Sequence, residues 1–79
     1  MTDEQLLLRI VCEPKIMTGK PVIRGTRLTV EFVLGLLAHG MTEEQICEEY
    51  SGLIKEDIQA CLLFATRTLR DVDSMPLAI

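Results

Sequence analysis

Arg24 and Arg27 flank Gly25-Thr26, and the chemistry open to such a pair is the recognition of an anion. A guanidinium is a planar fork of N–H donors that matches a phosphate or carboxylate through two parallel hydrogen bonds. The pair lies in Lys20-Pro21-Val22-Ile23-Arg24-Gly25-Thr26-Arg27-Leu28-Thr29-Val30. Apolar and β-branched residues on both sides read as a β-hairpin. Gly25-Thr26 suits a two-residue type II′ turn, whose first central residue needs positive φ. That turn sets Arg24 opposite Arg27, Ile23 opposite Leu28 and Val22 opposite Thr29, with Ile23 and Leu28 on one face. Like charges directly opposite each other are unfavourable unless an anion sits nearby. The arginines therefore either grip a phosphate or a partner's carboxylate, or form a solvated tip or an internal salt bridge to an acid such as Glu31. Lys15 and Lys20 extend the basic patch. Lys15, Lys20, Arg24 and Arg27 are thus the candidate nucleic-acid or anion contacts.

Other residues with chemical potential read as structural. His39 sits alone near a helix end, where a cation is favourable. Cys12, Cys47 and Cys61 lack metal-ligand or disulfide spacing and read as reduced, mostly buried thiols of a cytoplasmic protein. Glu43-Glu44 and Glu48-Glu49 form a solubilising face. Neither a Gly-rich phosphate loop nor a Ser/His/Asp or Cys/His set occurs. The expectation is a binding protein rather than an enzyme, with no cofactor and no metal.

The charges are segregated. Eight Lys and Arg against twelve Asp and Glu give a formal net charge of −4, which argues against a general nucleic-acid binder. Residues 14–30 carry the four cations named above and no acid, whereas residues 42–57 carry Glu43, Glu44, Glu48, Glu49, Glu56 and Asp57 against Lys55. The molecule should be dipolar, with a basic hairpin and an acidic helical face. Its 79 residues suit one small domain, which buries only about 60–65% of its unfolded surface. With 48% apolar residues, some of that surface should be covered by a partner. Leu6-Leu7-Leu8 is too short for a signal peptide, and no run approaches a membrane span.

The elements that must position the basic patch follow from caps and periodicity. Thr2-Asp3-Glu4-Gln5 is a capping box for a short helix through Leu8. Ile10-Val11-Cys12 reads as a strand that pairs with the hairpin or with a second copy. Thr29 caps a helix from Val30 to His39, apolar nearly all round and hence expected to be the central element; Gly40 ends it. Thr42 and Gln45 form a second capping box, Met41 staples onto Ile46, and Ile46, Cys47 and Tyr50 point inward. Ser51-Gly52 closes that helix. The last helix spans Lys55 to Arg70 with Ile58, Cys61, Leu62, Ala65 and Leu69 as its inward stripe. The fold class is mainly α: a three-helix homeodomain-like (helix-turn-helix) bundle over residues 1–70 with a short N-terminal β-hairpin or strand. Glu56 and Asp57 at the start of the last helix oppose its docking on DNA. Residues 71–79 form a mobile tail. Leu63 and Phe64, outside the inward stripe, with Leu69, Val72, Met75, Leu77 and Ile79, are the candidate partner-binding residues.

The run from Gly19 through Val30 resembles the signature of a small bacterial family, domain of unknown function 433. Gly40-Met41-Thr42-Glu43-Glu44-Gln45-Ile46, Tyr50-Ser51-Gly52-Leu53 and Glu56-Asp57-Ile58-Gln59-Ala60 resemble its later blocks. The resemblance covers about residues 10–66. It implies a homeodomain-like trihelical fold, often homodimeric, and the antitoxin half of a VapB/VapC-like pair whose toxin is a PIN-type, Mg-dependent ribonuclease. Glu13, Ser51 and Ile54 depart from the pattern, and Ile54 in place of a hydroxyl N-cap should cost about 1 kcal/mol. The expected function is binding and inhibition of a PIN-like ribonuclease toxin. The alternatives are a DNA-binding autorepressor of its own operon and a helix-turn-helix module that serves assembly alone.

Overall fold

The longest helix, α4 (Lys55–Arg70), is the element on which the rest is assembled in the computed structural model, which describes residues 1–71. It packs against α1 (Asp3–Leu7), β1 (Ile10–Val11), α2 (Val30–Ala38) and α3 (Glu43–Glu49). The expectation that the Val30 helix would be central is corrected. Only Val30 and Val33 of α2 are buried, and Phe32 is 43% exposed. Apolar character all round α2 thus leaves part of its surface uncovered rather than placing it at the centre.

The helix starts follow local capping chemistry. Thr2 and Gln5 exchange side-chain and backbone hydrogen bonds at α1, as do Thr42 and Gln45 at α3. Thr29 Oγ1 accepts the Phe32 N–H at the start of α2. These bonds satisfy donors that the first helical turn leaves without partners.

β1 pairs antiparallel with β2 (Val22–Ile23), Ile10 opposite Ile23 and Val11 opposite Val22. Cys12 lies beyond the strand and is exposed, not buried as expected, whereas Cys47 is half-buried and Cys61 buried. On its other side β2 meets the returning chain through a single bridge, Val22 opposite Thr29, with the Ile23 N–H donating to Leu28 O. The turn is shifted from the II′ expectation. Thr26 N–H donates to Ile23 O, so Gly25 occupies the third position of the turn Ile23–Thr26, with φ +81°. A β-turn with positive φ at that position belongs to type II. Thr26 Oγ1 locks it by donating to Ile23 O and accepting the Leu28 N–H. The expected pairing of Val22 with Thr29 is kept; the turn type differs, and Arg24 becomes the second residue of the turn Ile23–Thr26.

The core gathers Ile10, Ile23, Val30, Val33, Ile46, Leu53, Ile58, Ala60 and Cys61, with the partly buried Leu6 of α1 packed against it. The buried face of α4 is rotated from the expected stripe. Asp57, Ile58, Ala60 and Cys61 are buried, while Leu62 and Leu69 are 43% and 70% exposed. Asp57 belongs to the buried side because it has an internal partner, described next.

Candidate functional site

The chain reaches the basic patch through two devices. From Glu13 to Lys20 it folds back on itself: Met17, Thr18 and Gly19 take φ of 49°, 54° and 83° in succession, and a Cβ at Gly19 would lie 3.7 Å from Pro14 Cα. This closed loop carries Lys15. The type II turn carries Arg24 and Arg27.

The structure divides the four predicted cations among three places. Lys15 and Arg27, with Ile16, Gly25 and Thr26, line a concavity of about 390 Å³. Arg24 turns the other way. Its N–H donates to Arg9 O at 2.7 Å and its Nε to Leu8 O at 2.9 Å, and it lines a second pocket with Gln5, Leu8, Arg9 and Asp57. Lys20 pairs with Glu31 at 3.3 Å on the surface. The acid suggested for the arginines is thus engaged by a lysine. Among the described residues Lys15, Arg24 and Arg27 make no ion pair, whereas Arg9, Lys20, Lys55 and Arg67 do.

Arg9 is the residue that sequence reasoning missed. Its Nε lies 2.8 Å from Asp57 Oδ1, and the two side chains are 29% and 8% exposed. Asp57 Oδ2 accepts the Ile54 N–H at 3.0 Å. Ile54 has no side-chain acceptor to cap α4, so Asp57 supplies the reciprocal half of a capping box from the third helical position. Nothing local signals the Arg9–Asp57 pair, since the partners stand 48 residues apart. One of the two carboxylates expected to oppose DNA docking is therefore turned inward and neutralised.

The candidate partner-binding residues are only partly gathered. Phe64 and Leu69 line an apolar groove of about 360 Å³ between α2 and α4, with Pro21, Val30, Leu34 and Ala65. Leu63 is half-buried and does not line it. Val72, Met75, Leu77 and Ile79 lie outside the described residues. A neighbouring concavity on α2 includes Phe32 and His39. There the Phe32 ring stands edge-on to Tyr50 at 5.7 Å, and His39 Nδ1 lies 2.7 Å from Gly35 O.

Electrostatics at the thiols are set by burial. Burial pushes the Cys61 thiol up to about 12, and the Asp57 carboxylate adds to the shift. Cys47 is also raised, by desolvation first and then by Glu43, Asp57 and Glu44, with Lys55 opposing. Among the described residues no three His, Cys, Asp or Glu side chains are grouped to hold a metal, and no helix is long and apolar enough to cross a membrane.

A family model described as "Protein of unknown function (DUF433)" matches residues 10–65, from β1 into α4. The fold is similar to the crystal structure of a DUF433 member protein from Anabaena variabilis ATCC 29413, with a TM-score of 0.75 and 24% identity over 89% of this chain and 69% of that one. None of the curated proteins matches.

Proposed function

Because this chain belongs to the DUF433 family, we propose that it is an antitoxin-type protein that docks onto a PIN-like ribonuclease and inhibits it. The observation that carries this reading is the apolar groove between α2 and α4, flanked by the 70%-exposed Leu69. An aliphatic groove beside an exposed leucine is surface that a partner's side chains would cover with gain. The α3 face, with Glu44, Glu48 and Glu49 exposed, complements a basic RNA-binding cleft. In this reading α2, α3 and α4 form a homeodomain-like helix-turn-helix unit, α1 and the β pair brace it, and the protein acts as a homodimer. Co-expression with the adjacent gene followed by pull-down tests the proposal. The ribonuclease should be retained by the native chain and lost with Leu69→Asp. Failure of the native chain to retain it contradicts the proposal.

One observation favours a second reading, DNA binding by the same protein. Asp57 at the start of α4 is held by Arg9, and Lys15, Arg24 and Arg27 are left without carboxylate partners among the described residues. The test is a salt-dependent gel shift on the DNA upstream of the gene, repeated with Arg24→Ala and Arg27→Ala. Binding should weaken as salt rises. Absence of a shift at low salt removes this reading.

A further inference from the structure

The concavity shared by Lys15 and Arg27 is the feature that neither reading above uses fully. Two segments build it: the closed loop after β1 contributes Lys15 and Ile16, and the type II turn contributes Gly25, Thr26 and Arg27. Both cations lack an ion pair among the described residues, while other Lys and Arg side chains have found carboxylates. Residues 14–30 contain no acid to neutralise them. Two uncompensated positive charges converging on one concavity favour a doubly charged anion over a single one.

The backbone adds donors. Among the described residues the Gly25 and Arg27 N–H groups have no protein acceptor, whereas the N–H groups of Thr26 and Leu28 are used within the turn. A Cβ at Gly25 would meet nothing within 4 Å, so the space around this backbone is open to a ligand. Thr26 Oγ1 holds the turn in place through its bonds to Ile23 O and Leu28 N. The donors are thus pre-positioned, which lowers the ordering cost of binding. The volume of about 390 Å³ falls in the range of small-molecule sites and exceeds what a bare oxyanion fills.

We infer that Lys15 and Arg27, with the backbone of Gly25-Thr26-Arg27, form a binding site for a phosphate dianion, free or carried as the monoester of a small molecule. The site stands apart from the α2/α4 groove and does not rest on the antitoxin reading.

The test is an amide-detected NMR titration of the full chain with inorganic phosphate, adenosine 5′-monophosphate and, as control, chloride at matched ionic strength. Saturable shifts of the Gly25 and Arg27 amides with phosphate are expected. Lys15→Ala and Arg27→Gln should each weaken binding about tenfold, the worth of one charge-assisted contact, and Lys55→Gln, at the start of α4, should leave it unchanged. Tighter binding of the nucleotide identifies a monoester as the ligand; equal binding identifies the free ion. Shifts that chloride reproduces, or that survive both Lys15→Ala and Arg27→Gln, overturn the inference. Absence of a saturable shift with both phosphate and adenosine 5′-monophosphate also overturns it.

Discussion

Arg9, just before β1, places its Nε 2.8 Å from the Oδ1 of Asp57 in the first turn of α4. With the surface pair Arg67–Asp3 at 3.2 Å, this contact ties the N-terminal part of the chain to the helix that organises the rest. It also closes the hydrogen bonding of a carboxylate that is 8% exposed, because Oδ2 is taken by the Ile54 N–H. Losing one member of a buried pair strands the other without a partner, and that is where the energetic weight lies.

Removing either member should therefore be more damaging than removing a surface ion-pair partner. Asp57→Ala deletes the ion pair and the N-terminal cap of α4 together and should cost about 3 kcal/mol or more. Arg9→Met leaves the 8%-exposed Asp57 carboxylate with the Ile54 N–H alone and should also cost about 3 kcal/mol. Lys20→Ala, at the surface pair with Glu31, should fall within about 0.5 kcal/mol of the native chain. Urea midpoints for the three variants give the ranking. An Asp57→Ala midpoint matching that of Lys20→Ala would mean that the buried pair adds nothing.

Ile46 and Ile58 are fully buried in the aliphatic core. Ile58→Ala should destabilise by about 2–5 kcal/mol and Ile46→Val by about 0.5–1.5 kcal/mol. A chain of this size has a total stability of about 4–12 kcal/mol, so Ile58→Ala should place a measurable fraction unfolded at 37 °C by circular dichroism. A melting curve unchanged by Ile58→Ala would contradict the assigned core.

Much of this architecture was legible because it is local. Thr2/Gln5, Thr29 and Thr42/Gln45 announce helix starts by hydrogen bonds that span three residues, and the structure keeps each of them. The pairing of Val22 with Thr29 was legible from alternation, whereas the turn type was not, because it depends on the Thr26 N–H and hydroxyl both bonding Ile23 O. The buried face of α4 was misjudged because it depends on Arg9, and periodicity counts an aspartate as polar wherever it lies. In the candidate sites, charge density revealed Lys15 and Arg27. Only the fold could show that Arg24 departs from them toward Leu8 and Arg9.

The Thr42 cap offers a local counterpart to the Asp57 test. Thr42→Ala removes the acceptor of the Gln45 N–H and should cost about 1 kcal/mol. Thr42→Asp should recover most of that loss, since a carboxylate both caps and complements the helix dipole. Equal midpoints for the alanine and aspartate variants would contradict this role.

Cys61 makes stability depend on alkaline pH. Its thiol is raised from an ordinary 9.0 to about 12 in the folded chain, so above pH 9 the unfolded chain releases a proton that the folded chain retains. Stability from this group is intact below the unfolded value and is lost progressively as pH rises from about 9 toward 12. Urea midpoints of the native chain should fall over that window more steeply than those of Cys61→Ala. Parallel curves would show that the thiol is not coupled to folding. At neutral pH the exposed Cys12 should react with a thiol reagent at once, and Cys61 only at the rate of unfolding.

The α2/α4 groove is proposed as the docking surface for a ribonuclease. Cleavage of an RNA substrate by the product of the adjacent gene, titrated with this protein, tests that proposal directly. Cleavage should fall to background near stoichiometric addition of the native chain and persist with Leu69→Asp, a variant whose circular dichroism should match the native spectrum. Undiminished cleavage at saturating native protein, or equal inhibition by Leu69→Asp, contradicts the claim.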